Sequence, residues 1–286
     1  MKNLTVQLLL ITIFKNIPKD DVIKAFADFL RESRCGDFQE ILKSYSVFIS
    51  LLYENEKSRN LYHYLKELIY KDENIISKNC VFEKIENDSE IMETAEYELS
   101  IFEELLNQDY NCIKSYLEAE YPENKEILEH LPKFNINGRI DFSLNDIINS
   151  YRTCGYGCFT EGSAFNFNEN KEIAPVKHFE AMTFSQLKNY EYQKKVIYNS
   201  TKSFIEGKEA NNILLYGDRG CGKSSTVKAL VNEFKTQNLK IIQITKNSFV
   251  YLNDLYEKIS SLPLKFIIFA DDISFSGDDK NFSQVK

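Results

Sequence analysis

From Gly217 to Ser224 the chain reads Gly217-Asp218-Arg219-Gly220-Cys221-Gly222-Lys223-Ser224. This is the G-x-x-x-x-G-K-[ST] spacing that suits capture of a polyphosphate. A loop that wraps phosphates must turn its backbone N–H groups inward, so glycine is needed wherever a side chain would collide. A helix starting beside Gly222 aims its free N–H groups and the positive end of its dipole at the same anion. Lys223 then reaches the β- and γ-phosphates as a point charge. The Ser224 hydroxyl, with Ser225 behind it, suits the first turn where Mg²⁺ is held. Cys221 reads as a small, tolerated loop residue. Asp218 and Arg219 read as paired with each other or turned to solvent.

A second acidic element stands about fifty residues on. Phe266-Ile-Ile-Phe-Ala270 is a continuous apolar run, as expected of a strand buried on both faces, and it ends in Asp271-Asp272. Asp271 is expected to hold Mg²⁺ through water. Asp272 is expected to orient or deprotonate an attacking water, which makes Lys223 and Asp272 the catalytic pair.

These residues need a scaffold to bring them together. Ile213 to Tyr216 predicts a short strand entering the loop. Ser225 to Phe234 predicts a helix with Val227, Leu230, Val231 and Phe234 on one face. Leu239 to Thr245 predicts a strand, Phe249 to Leu262 a helix, and Phe266 to Ala270 the acid-tipped strand. Strands alternating with helices give an α/β fold, a parallel sheet with the ligand at the carboxyl ends of its strands.

The front of the chain has a different texture. Val22, Phe26, Phe29 and Leu30 fall on one helical face, as do Phe38, Ile41, Leu42, Tyr45, Phe48, Ile49 and Leu52, then Leu61, Tyr64, Leu65, Leu68 and Ile69. Leu8 to Phe14 reads as a buried helix. Alternation on both sides of Asn137-Gly138 predicts a hairpin from Phe134 to Phe142, and Ser143 three residues before Asp146 predicts a capped helix. Gly155-Tyr-Gly157 misses the G-x-G-x-x-G spacing because Thr160 replaces the last glycine, so it reads as part of a connector. Phe184 to Glu206 predicts one long helix. The expected domains are a helical region over 1–133, a connector over 134–180 and the nucleotide-binding region over 181–286.

Composition narrows the possibilities. Of 286 residues, 43% are hydrophobic and 27% charged, enough to build a sizeable core. No apolar run reaches the ~18 residues of a membrane helix. The six cysteines form no C-x-x-C pair and the three histidines lie far apart, which argues against zinc and for reduced thiols in a cytoplasmic protein. Residues 181–286 carry 15 basic and 11 acidic groups, leaving 20 and 32 in residues 1–180. So acidic a front half is a poor match for nucleic acid and a better one for a protein partner.

From about Pro175 onward the chain resembles an uncharacterised bacterial family of AAA+ ATPases, filed as a domain of unknown function. The resemblance is carried by Leu187-Lys-Asn-Tyr190-Glu-Tyr-Gln193, Phe204-Ile-Glu-Gly207, Asn211 to Gly217 with its loop, and Asp271-Asp272-Ile-Ser274-Phe275. It extends weakly over Phe134 to Ala174. The resemblance implies that the nucleotide is ATP, that the fold is the AAA+ variety of P-loop domain, and that the helix near Tyr190 borders the adenine. Asp272 departs from the Asp-Glu pair of most AAA+ proteins, although the family resembled shares it. Such a domain needs two further strands, a polar sensor, an arginine finger and a helical lid, none of which is present in the fourteen residues after Asp272. The expectation is therefore the front part of a longer ATPase, which on its own binds nucleotide weakly and does not turn it over.

Three functions compete on these grounds. The leading one couples Mg-ATP binding and hydrolysis to conformational work on a macromolecular partner, in a possible homo-oligomeric ring, with the helical half as adaptor. The second is a P-loop kinase, which needs an acceptor pocket the sequence does not display. The third is a non-enzymatic interaction protein with a vestigial nucleotide site.

Overall fold

The computed structural model describes residues 4–55, 59–80, 88–136, 141–177, 179, 182–234 and 237–271. It divides into two compact units, Met1–Tyr151 and Arg152–Lys286. It is an α/β protein with a helical N-terminal region and a four-stranded mixed sheet.

In the first unit, helix starts are written into the sequence as short polar side chains. Asp20 accepts from the N–H groups of Val22 and Ile23 and starts α2 (Asp21–Cys35), after a single-turn α1 (Leu4–Gln7). Asp37, Asn60, Asn74, Asp88 and Asp109 do the same for α3 (Phe38–Glu54), α4 (Leu61–Lys71), α5 (Ile75–Asn79), α6 (Ser89–Leu106) and α7 (Tyr110–Glu120). Each satisfies N–H groups that the helix cannot pair internally. Part of the acidic excess of the front half is thus spent on capping rather than on a charged patch. A short α8 (Lys125–Glu129) follows, then α9 (Leu144–Cys154). Ser143 and Asp146 form the expected reciprocal cap before α9, with the Ser143 N–H donating to Asp146 Oδ2 at 2.7 Å and the Asp146 N–H to Ser143 Oγ at 3.2 Å.

The aromatic stripes form the core. The rings of Phe26 and Phe48 lie 4.6 Å apart, Phe29 and Tyr45 5.0 Å, and Phe48 and Phe134 5.1 Å. Leu8 to Phe14 differs from expectation. Leu8–Leu10 is one 3₁₀ turn with Leu9 and Leu10 exposed, and the chain then leaves helical geometry. Glu98, 1% exposed, captures the released N–H groups of Thr12, Ile13 and Phe14 at 2.6 to 3.1 Å. The turn of the expected Phe134–Phe142 hairpin lies outside the described residues. Asn135 instead makes an isolated parallel bridge with Asn60.

In the second unit the strands are β1 (Ala164–Phe167), β2 (Ile173–Pro175), β3 (Leu239–Ile244) and β4 (Lys265–Ala270), in the order β2-β1-β3-β4. β1 pairs β2 antiparallel, whereas β1–β3 and β3–β4 are parallel. Thus the segment read as a connector supplies half of the described strands, and the boundary between the two compact units follows Tyr151. Phe165 and Phe167 are fully buried, and Ala164 pairs with Ile241. One sheet face, carrying Ala164, Ile241, Ile267 and Phe269, packs on Val227 and Val231 of α11 (Lys223–Phe234). On the other, the Phe159 ring lies 5.0 Å from Phe165 and 5.4 Å from Phe266.

Four expected elements come out differently. Ile213 to Tyr216 is not a strand: Leu214 is 83% and Tyr216 88% exposed. β3 already has β1 on one side and β4 on the other, and among the described residues no strand edge pairs with this segment. Leu215, between Leu214 and Tyr216, packs on the core, but the segment joins no strand, although the outer edge of β4 has no partner among the described strands. β4 is half-buried rather than buried on both faces, since among the described strands only β3 flanks it. The helix expected over 184–206 is interrupted, with a 3₁₀ turn at Phe184–Gln186, left-handed backbone at Asn189 and Tyr190, and α10 (Glu191–Ile205) beginning only then. Likewise a 3₁₀ turn at Lys246–Tyr251 precedes α12 (Leu252–Ser260).

Candidate functional site

The loop 217–222 turns through backbone that favours glycine. Gly217, Gly220 and Gly222 have φ of 146°, 78° and 85°. A Cβ on Gly217 would also lie 3.2 Å from Cys221 Sγ. The loop delivers the chain into α11, whose first backbone bond runs from the Thr226 N–H to the Gly222 carbonyl at 2.8 Å. The sequence thus specifies the turn and the helix start together, with glycine before Lys223 and no side chain to block the amides.

Lys223 folds back over its own loop. Its Nζ donates to the carbonyls of Gly217 and Asp218, both at 2.9 Å, and lies 3.7 Å from Cys221 Sγ. The ammonium therefore rests at the centre of the turn, held by neutral oxygens that an anionic phosphate would outcompete. Asp218, Arg219 and Gly220 are exposed at the loop crown, and Cys221, Gly222, Ser224 and Ser225 are half-buried.

Ser224 Oγ donates to Asp271 Oδ1 at 2.8 Å. Asp271 directly follows β4, so this bond joins the first turn of α11 to the end of a strand. Ser224 and Asp271 line a small cavity of about 120 Å³ together with Phe165, Lys228, Gln243 and Phe269. A hydroxyl and a carboxylate side by side are hard oxygen donors of the kind Mg²⁺ accepts, so the residues present fit that ion. Asp272 lies outside the described residues.

Lys228 and Gln243 belong to this cavity although sequence reasoning did not single them out. A faint signal existed for each. Lys228 lies four residues after Ser224, on the same helical face. Gln243 is the one polar residue in Ile241-Ile-Gln-Ile244, and it sits opposite Phe269 in register.

Tyr190 stands at the start of α10 with left-handed backbone and is 55% exposed. In the same turn Leu187 lies near the loop, its Cδ2 4.0 Å from where a Cβ on Gly222 would be. Behind it opens a cleft of about 520 Å³ lined by Phe184, Leu187, Glu191, Lys194 and Tyr198, among others. The structure thus gathers Lys223, Ser224 and Asp271 in one place and sets the Leu187–Tyr190 turn beside the loop.

Residues 160–286 match the model of a family described as a protein of unknown function (DUF815). The match begins four residues before β1 and takes in the whole sheet and the loop. It agrees with the resemblance to an uncharacterised family, which it starts at 160 rather than near Pro175. No curated protein and no solved structure matches the chain.

Proposed function

Since the family match brings no function with it, we propose from the geometry that the second unit is a nucleotide-binding P-loop domain of the AAA+ type, taking ATP with Mg²⁺. The observation that carries this reading is the Ser224–Asp271 bond at 2.8 Å. The first-turn hydroxyl and the strand-end carboxylate that the spacing paired as metal ligands are brought within hydrogen-bond reach. The loop amides and Lys223 supply the phosphate half of the site, and Ser224 and Asp271 would hold the metal. Held there, Mg²⁺ would supply neutralisation of phosphate charge. Asp272 is assigned the water-orienting role from sequence alone.

In the same reading, nucleotide binding and hydrolysis drive conformational work on a macromolecular partner, engaged through the acidic helical unit. Titration calorimetry with Mg-ATP tests the first step: binding that is lost in Lys223→Ala supports it, and no heat with the unmodified chain rules it out. Phosphate release that survives both Lys223→Ala and Asp272→Asn would exclude the hydrolytic part.

One observation favours a second reading, an interaction protein that binds nucleotide without turnover. The stretch leading into the loop lies outside the sheet with Leu214 and Tyr216 exposed, although Leu215 packs on the core beside α11, so no strand leads into the loop. Binding of Mg-ATP with no phosphate release even by a longer form that carries the remaining strands, sensor, arginine finger and lid would select it.

A further inference from the structure

Lys194 is a charged side chain placed where charge is costly. It is 9% exposed, in the first turn of α10, and its Nζ donates to the Leu187 carbonyl and to Glu191 Oε1, both at 2.6 Å. The two partners are unequal. The Glu191 side chain is 82% exposed, so solvent screens that ion pair heavily. The Leu187 carbonyl is the partner that fixes geometry, because it ties the helix to the turn preceding it.

That turn is under strain. Asn189 and Tyr190 hold φ of 66° and 61° in succession, left-handed backbone that asparagine visits readily but tyrosine adopts only at a cost. The Lys194–Leu187 bond spans both of them and closes the turn. Leu187 Cδ2 lies 4.0 Å from where a Cβ on Gly222 would be, and the residue also lines the cleft of about 520 Å³, whose wall includes Phe184 and Tyr198. Tyr198 is itself anchored, with its ring 4.9 Å from that of Phe234 at the far end of α11. Leu187 thus lines the cleft and lies near Gly222 of the loop, and one buried ammonium holds its carbonyl in place.

We infer that Lys194 is a positioning residue that locks the Leu187–Tyr190 turn against the loop, so that cleft and loop form one continuous site for a nucleoside triphosphate rather than for inorganic polyphosphate. This inference rests on the nucleotide reading above. Lys194 touches no phosphate in it: phosphate affinity comes from Lys223 and the loop amides, while Lys194 governs what the nucleoside end adds.

The test compares ATP with inorganic tripolyphosphate, each with Mg²⁺, by titration calorimetry on the full chain and on Lys194→Met, with circular dichroism to confirm folding. The unmodified chain should bind ATP at least tenfold more tightly than tripolyphosphate. Lys194→Met should lose that advantage, with ATP weakened about tenfold and tripolyphosphate changed less than twofold. Equal binding of both ligands by the unmodified chain overturns the inference while leaving the phosphate loop intact, and this comparison needs no variant. An unchanged ATP advantage in Lys194→Met, or a parallel loss of both ligands in a folded variant, also overturns it. If the unmodified chain binds neither ligand, the nucleotide reading itself has failed.

Discussion

The Ser224 hydroxyl donates to Asp271 Oδ1 at 2.8 Å, joining the start of α11 to the end of β4 across 47 residues of chain. Neither group is needed by the other to satisfy the interior, since both are only half-buried. Removing the charge but keeping the acceptor, in Asp271→Asn, should therefore change stability by less than about 0.5 kcal/mol. The same change should abolish the tightening of ATP binding by Mg²⁺. Calorimetric titrations with and without Mg²⁺ would show the difference, and an undiminished metal dependence would remove Asp271 from the site.

Lys223 should matter for phosphate and little for folding. Its Nζ is held by two backbone carbonyls in an exposed loop, which water can serve equally well. A charge-assisted contact contributes about 1.5–3 kcal/mol, so Lys223→Ala is expected to weaken ATP binding roughly 10- to 100-fold. Its unfolding midpoint in urea should stay at that of the unmodified chain.

Glu98 makes a contrasting case, a carboxylate with a purely structural task. It accepts from three successive N–H groups at Thr12, Ile13 and Phe14, and Phe14 is fully buried. In Glu98→Ala those donors lose their acceptor, at a cost of about 2–4 kcal/mol. Glu98→Gln keeps one acceptor oxygen and should fall between the two in chemical denaturation.

Gly155 tests the backbone of the second unit. Its φ is 79°, and a Cβ there would come within 2.7 Å of Leu264 Cδ1. Gly155→Ala should destabilise this unit by about 1–3 kcal/mol, combining left-handed strain with displacement of a buried leucine. A urea midpoint unchanged from the parent would refute the strain.

Asp72 gives a pH signature. Burial pushes its carboxyl above the usual range, with Glu98 adding to the rise, against the donors on Asn74 and Asn16 that favour the charged form. The folded chain thus holds this proton more tightly than the unfolded chain. The group's contribution to stability is greatest below the ordinary value of about 3.9 and declines as pH rises through the raised one. The stability of Asp72→Asn minus that of the parent should accordingly climb with pH across that window and then level. A difference that falls with pH would contradict the shift.

Much of the helical unit was legible because its determinants are local. Spacing of Val22, Phe26, Phe29 and Leu30 gave the buried face of α2, and Ser143 with Asp146 gave the cap of α9. What local pattern could not give was whether a segment finds a partner. Ala164–Phe167 has too few residues to announce a strand, and becomes one because β3 offers an edge. Ile213–Tyr216 looks more like a strand and is not one.

The residues from Gly217 to Ser224, the acid after Phe266–Ala270 and the division between an acidic helical half and a basic remainder were fixed by sequence alone, because each depends on residue type and short spacing. Only the tertiary structure decided that Ser224 meets Asp271, that Lys228 and Gln243 share their cavity, and that Leu187 lies near Gly222 of the loop. Those relationships join residues distant in the chain. They follow from which strand edges pair and which helix face packs on the sheet, choices made by the whole fold at once rather than by any one segment.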